Sequence, residues 1–210
     1  MVQIEISKLD ESLAEKAFAL ASSNFASQSA LHLALNTDLD EYSAYLRPTF
    51  FDDVKDGLSL AATDTKNGEL LGVLVARDFL KKRQKDYLPF QKKYELISEL
   101  FQILEATYLQ QRSLEMGDAL LVDMAAVLPS HSSKGIYQTM RKEISRQAKL
   151  LGYKYVIGEL TSSATQRVIL EKMGHRKCAQ VNLTKFSYGD RRPFESVVDP
   201  EIIVLAEETL

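Results

Sequence analysis

Ala119-Leu120-Leu121-Val122-Asp123-Met124-Ala125-Ala126-Val127, then Pro129-Ser130-His131-Ser132-Ser133-Lys134-Gly135, then an amphipathic segment from Ile136: this stretch decides how the chain is read. A mostly apolar run, a short polar turn and a run of helical period are strand, loop and helix. A loop of small residues with Gly at a helix start leaves backbone N–H groups unpaired and pointing outward, where the helix dipole favours an anion. The expected ligand at that loop is a phosphate.

Downstream, the helix carries Ile136, Met140, Ile144, Ala148 and Leu151 on one stripe, with Arg141, Lys142, Glu143, Arg146 and Lys149 on other faces. Gly152 is placed to end it in the left-handed conformation. Tyr155-Val156-Ile157-Gly158-Glu159-Leu160 is a β-branched run, and Thr161-Ser162-Ser163 is a capping cluster before a second helix that closes at Lys172-Met173-Gly174. Further on, residues 179–187 and 201–207 read as two strands joined through residues 188–193, completing the sheet as a hairpin.

Upstream, residues 3–9 alternate as a first strand, and Asp10 or Ser12 caps a helix bearing Leu13, Ala17 and Leu20, with Glu15 placed for a capping box. Residues 25–45 read as a second helical region that Arg47-Pro48 ends, because a residue before Pro is pushed out of the α region. Residues 50–55 are a short helix or turn. Two apolar runs, 57–63 and 71–78, flank Lys66-Asn67-Gly68, a strong hairpin signal. The charged stretch 77–93 is either a solvated excursion or a flap over a substrate. Leu96, Leu100, Ile103 and Leu104 predict an amphipathic helix over 96–109.

With 210 residues, 45% hydrophobic and 26% charged, the chain fits one soluble globular domain spanning 1–210. No segment approaches the roughly 20 apolar residues of a membrane span. Met1 to Glu5 lack a basic region followed by an apolar core, so no signal peptide is expected and the location expected is cytoplasmic. A net charge of −3 argues against nonspecific nucleic-acid binding. Cys178 is the single cysteine, and His32, His131 and His175 lack metal-ligand spacing, so no metal is expected.

The loop resembles that of the GNAT superfamily of N-acetyltransferases, Pro-x-x-[Arg/Gln]-x-x-Gly-x-[Gly/Ala]. Here the matching residues are Pro129, Ser132, Gly135 and Tyr137, so the basic or amide position and the second small position depart from the pattern. Asn24-Phe25 to Leu35, the hairpin 57–78 and Arg167 to Gly174 are similar to the arylalkylamine N-acetyltransferase branch, especially its insect-like members. The resemblance implies an α/β (α+β) GNAT fold, with a central mixed, mostly antiparallel twisted sheet of about seven strands flanked by helices. It implies acetyl-CoA as co-substrate, a small primary amine as acceptor and direct attack on the thioester. It leaves a homodimer open. Met124, Ala125, Val127, Ser132, Ser133, Lys134, Gly135, Ile136 and Tyr137 would bind the cofactor.

Acetyl transfer needs a deprotonated amine, a polarised carbonyl and a proton returned to the thiolate. Asp123 is a carboxylate inside an apolar strand, costly there unless paired, solvated or in a site. It is read either as the general base or part of its water chain, or as a structurally paired acid. By register it matches a position where vertebrate-like relatives have His. Glu159 is a competitor on the adjacent strand. Ser162 is read as a proton relay, as serines of this segment are in insect-like relatives, or as a plain helix cap. The Tyr that family members use as acid falls at Leu170, and an expected acidic residue on the amine side falls at Ser29. These departures keep open a rival reading, a catalytically degenerate GNAT-fold CoA-binding or interaction protein. A third reading acts on protein N-termini or lysines. A deep aromatic-lined amine pocket would favour the first reading, a closed one the rival and an open groove the third.

Overall fold

The structure, a computed structural model, describes residues 3–81 and 91–210. Most of the charged stretch read as an excursion or flap lies outside them. In chain order the elements are β1 (Ile4–Lys8), α1 (Glu11–Gln28), α2 (Ala30–Ala34), α3 (Leu39–Lys55), β2 (Leu60–Asp64), β3 (Leu70–Asp78), α4 (Gln91–Leu109), β4 (Ala119–Val127), α5 (Ile136–Leu150), β5 (Tyr155–Leu160), α6 (Ser163–Gln166), β6 (Arg176–Asn182) and β7 (Ile202–Thr209). Beyond α6 the chain continues as a π-helical turn, Arg167–Lys172. The strands form one seven-stranded sheet in the order β1-β2-β3-β4-β5-β7-β6, parallel only between β4 and β5. This is the mixed, mostly antiparallel sheet expected.

Side-chain alternation gives the sheet two apolar faces. Helices α1 and α3 pack Phe18, Leu46 and Phe50 on Val73, Val75, Met124 and Ala126, and α4 packs Leu100, Leu104 and Tyr108 beside them on Leu121, Ile157 and Leu205. The opposite face meets α5, whose Ile136, Met140, Ile144 and Ala148 cover Leu120, Val122 and Val156. Leu151, expected on that stripe, is instead the exposed C-cap residue of α5. Arg141, expected off the apolar stripe, is fully buried. Ile103 of α4 is 44% exposed, whereas Leu100 and Leu104, expected on the same stripe, are core.

Local chemistry sets most boundaries. Asp10 accepts from the N–H groups of Ser12 and Leu13 and starts α1, and Asp38 does the same for α3 through Asp40 and Glu41. The helical region 25–45 is broken at Ser29 and Leu35 rather than continuous, and Pro48 does not end it: α3 runs through to Lys55. An interior proline costs about 3 kcal/mol, and tertiary contacts on both sides outweigh it. Arg47 lies over the rings of Phe18 and Phe51 and pairs with Glu15, and Phe50 meets Phe18 edge-on at 5.4 Å. At the far edge β6 starts and ends earlier than expected. Residues 183–201 form a packed connection that buries Phe186, Phe194 and Val197 against α4.

Glu207, buried on β7, locks this far edge together. It accepts from Tyr108 at 2.7 Å, from Arg112 at 2.8 and 3.0 Å and from Arg176 at 3.0 and 3.2 Å, joining α4, β6 and β7. Burial alone would raise its pKa, but these hydrogen bonds win and bring it to about 2 from 4.5. A carboxyl depressed in the folded state contributes stability that is complete above the unfolded value and is lost as pH falls through the folded one. Urea denaturation should therefore show stability declining from about pH 4.5 towards pH 2. Glu207→Ala should cost roughly 2–3 kcal/mol at pH 7 and flatten that decline.

Candidate active site

β4 and β5 pair only from Ala119↔Tyr155 to Val122↔Gly158. Beyond that β4 runs on to Val127 while β5 ends at Leu160, and the gap between them opens into a cavity of about 360 Å³. Where the strands part, the register of β3 on β4 jumps from Val75↔Met124 to Ala76↔Val122, so Asp123 is the extra, bulged residue. A bulge bends its strand and re-aims a side chain. Asp123 lines the cavity and faces Arg77 Nε at 3.5 Å. Arg77 is itself fixed by donating to the carbonyls of Asp78 at 3.2 Å and Phe79 at 3.1 Å.

The α1–α4 side of the cavity is aromatic and acidic. Phe25, Tyr42, Tyr45, Tyr94 and Phe101 line it, with the Tyr45 and Tyr94 rings 4.7 Å apart and tilted by 33°, and Glu95, Glu105 and Glu159 add carboxylates to Asp123. Such walls suit a protonated amine carrying an apolar or aromatic body. His32 sits among these rings, 4.3 Å from Tyr42, with Nδ1 3.2 Å from the Thr37 hydroxyl. Burial, with the charge of Lys93 adding to it, pulls its pKa down to about 4, so the imidazole is neutral at pH 7. The α5 side holds Tyr137 and Arg141, one turn apart. Burial pushes the Tyr137 phenol up, with Arg141 opposing.

The loop before α5 has the geometry of an anion cradle. Gly135 is the N-cap in the left-handed conformation at φ 80°, Ser133 has φ 61°, and no side chain caps α5, so its first-turn N–H groups are left for a ligand. Nothing lies within 4 Å of where a Gly135 Cβ would be, so the position calls for glycine through its left-handed backbone and not for want of room. The residues present therefore fit a pyrophosphate.

The sequence matches no protein-family model and no curated protein. Solved structures do match. The C-terminal condensation domain of Ebony, in complex with β-alanyl-dopamine, is similar over 100% of both chains with a TM-score of 0.86 and 16% identity. A mosquito arylalkylamine N-acetyltransferase (like 5b) is similar over 99% of this chain and 100% of its own, with a TM-score of 0.79 and 19% identity. A Drosophila melanogaster polyamine N-acetyltransferase, which forms N-acetylagmatine, is similar over 99% and 100% with a TM-score of 0.74 and 13% identity. The chain has the GNAT fold.

Within this GNAT fold the expected site residues separate into groups. Asp123, Met124, Ala125 and Tyr137 line the cavity, while Ser132, Ser133, Lys134 and Gly135 form the exposed loop. The Ile136 side chain is core, leaving only its backbone for a ligand, and Val127 lies at the end of β4 beside that core. Ser162 is the N-cap of α6, accepting from Thr165 N at 3.2 Å, and touches the cavity only through Thr165, whose hydroxyl lies 3.0 Å away. Arg77, the aromatic cluster and the buried Arg141 were not singled out from the sequence. Clustered Tyr residues at 42, 45 and 94 were the available signal for the second. No group of three metal-binding side chains occurs among the described residues, and no helix there is long and apolar enough to cross a membrane.

A histidine whose pKa is lowered on folding stabilises the protein above its unfolded value, and that contribution is lost as pH falls through the folded one. In an NMR titration His32 should stay neutral until about pH 4, and stability should fall from pH 6.5 towards pH 4 by an amount that His32→Phe removes. For the loop, Gly135→Val should reduce CoA affinity by at least about tenfold, since it strains a left-handed position at the cradle. Unchanged affinity by calorimetry would place the phosphate elsewhere.

Proposed function

We propose that the chain is an N-acyltransferase that moves an acyl group from a CoA thioester to a small primary amine by direct attack, acetyl-CoA being the donor expected from the sequence. One observation carries the reading. A single cavity lies at the β4–β5 gap, lined on one side by aromatic rings and carboxylates and on the other by Tyr137 and Arg141 of α5, the helix that starts at the phosphate-fitting loop. Donor and acceptor that share one cavity can react without a covalent enzyme intermediate. The aromatic lining meets the condition set above for a small-amine enzyme over a degenerate or protein-directed one. The known proteins of similar fold that act on arylalkylamines and polyamines support the same class.

Asp123, directly or through water, takes the proton of the incoming ammonium. The amine nitrogen then bonds to the thioester carbon, the C–S bond breaks, and the departing thiolate takes up a proton. Backbone groups of Met124, Ala125 and Val127 run along the acyl end, and the residues from Ser132 to Tyr137 hold the pyrophosphate. Thr165, which lines the cavity, forms with Ser162 a hydroxyl pair that can return the proton. A cytoplasmic location fits the supply of acetyl-CoA.

Asp123→Asn should lower kcat/KM by about 10² to 10⁴ and remove the acidic limb of the pH–rate profile, while circular dichroism confirms an intact fold. An unchanged rate and profile would leave Asp123 only its ion pair with Arg77.

A further inference from the structure

Arg141 is fully buried, and among the described residues none of its three guanidinium nitrogens has a hydrogen-bond partner. Glu208 on β7 does not serve it, being engaged by Ser145 and, at 3.4 Å, by His175. A guanidinium carries five donors and keeps its charge at any accessible pH. An uncompensated buried cation is strongly unfavourable, and removing it in favour of an apolar side chain is often neutral or stabilising. A position that served packing alone would resemble its neighbours Met140 and Ile144.

Its placement assigns the missing partner. Gly158 is the last residue of β5 paired with β4, and a Cβ there would lie 3.2 Å from Arg141 Nη1. Glycine thus leaves room for the guanidinium at the vertex where β4 and β5 separate, and Arg141 lines the cavity there with Val122 and Tyr137. Glu159 follows Gly158 in the strand and so points to the opposite face, the face of the aromatic amine wall. The cavity is therefore acidic on the acceptor side and cationic on the side of α5, the helix whose N-terminus carries the phosphate-fitting loop.

We infer that Arg141 binds a carboxylate at the far end of the acyl group, which makes the donor a CoA thioester of a short dicarboxylic acid. This rests on the thioester-dependent N-acyl transfer proposed above and names its donor class. An acetyl group ends in a methyl and leaves the buried guanidinium's charge uncompensated. A terminal carboxylate supplies the charge and two acceptor oxygens in the planar arrangement a guanidinium matches. The transfer step is unchanged: the amine nitrogen bonds to the thioester carbon, the C–S bond breaks, Asp123 takes the ammonium proton and the thiolate is protonated. The distal carboxylate passes intact into the amide.

The test is calorimetric titration of the wild-type chain with free CoA, acetyl-CoA, malonyl-CoA and succinyl-CoA, repeated with Arg141→Gln and Arg141→Lys. Malonyl- or succinyl-CoA should bind about tenfold or more tightly than acetyl-CoA. That selectivity should fall to near parity in Arg141→Gln and be partly kept in Arg141→Lys. Equal or weaker binding of both dicarboxylic esters to the wild type overturns the inference, whether or not either variant folds. If all four ligands bind alike, only the donor class falls; if none binds, the acyl-transfer reading falls with it. An Arg141-dependent preference for amino acids over the corresponding plain amines would move the carboxylate to the acceptor and overturn the donor assignment.

Discussion

The separation of β4 from β5 beyond Val122 and Gly158 is the constraint on which the rest of the architecture depends. Two parallel strands in the middle of a sheet ordinarily satisfy each other's backbone, and ending the ladder leaves polar groups that need other partners. The gap stays open because the strands on either side are independently anchored. β4 is held through its ladder to β3, with the bulge at Asp123, and β5 is held along its whole length by β7 from Tyr155↔Thr209 to Leu160↔Val204. Glu207 then ties β7 to α4 and β6, so the far half of the sheet cannot slide in to close the opening.

That opening separates charge across the sheet. An apolar strand tolerates Asp123 because the bulge turns it toward Arg77, and Arg77 is braced by carbonyls just beyond its own strand. The ion pair holds the carboxylate at the cavity rather than letting it find solvent. Buried pairs of this kind contribute little net stability, since desolvation offsets attraction. Their worth here is positional: the pair keeps the Asp123 carboxylate at the cavity, and the neutral His32 adds no positive charge to the aromatic and acidic wall.

Strand, polar loop and helix from Ala119 to Leu150 were legible because each is a local signal, a run of β-branched and apolar residues, a glycine at a helix start and a 3.6-residue stripe. The hairpin at Asn67-Gly68 was legible for the same reason. What escaped the sequence is non-local. Pro48 breaks helices by local rules, yet Phe18, Phe50 and Arg47 hold α3 through it. The bulge at Asp123 is a register between strands some fifty positions apart, with no signature in either strand alone. Arg141 stands beside Lys142 and Glu143 and so looks like part of a solvated face, but it is one position from Met140 and long enough to reach under Gly158. Ser162 is the helix cap that one reading of it expected, and its hydroxyl lies beside that of the cavity-lining Thr165.

Tyr137 links the altered loop to the altered cavity. It stands where the GNAT loop pattern has a small residue, and its ring is spent on packing with Leu160, Ile169 and Leu170, the last of these being the position where a Tyr was expected. Residues four apart on a helix share a face, so Tyr137 and Arg141 present adjacent side chains to the same side of the gap. The π-helical turn from Arg167 to Lys172 shares an apolar cluster with Tyr137 through Val168, Ile169 and Leu170. Bulk that a small loop residue would have left empty is thus supplied from α5. The α5 side of the cavity is consequently walled by side chains rather than by backbone alone, and a side-chain wall can discriminate ligands by charge where a backbone wall recognises only the polar groups they share.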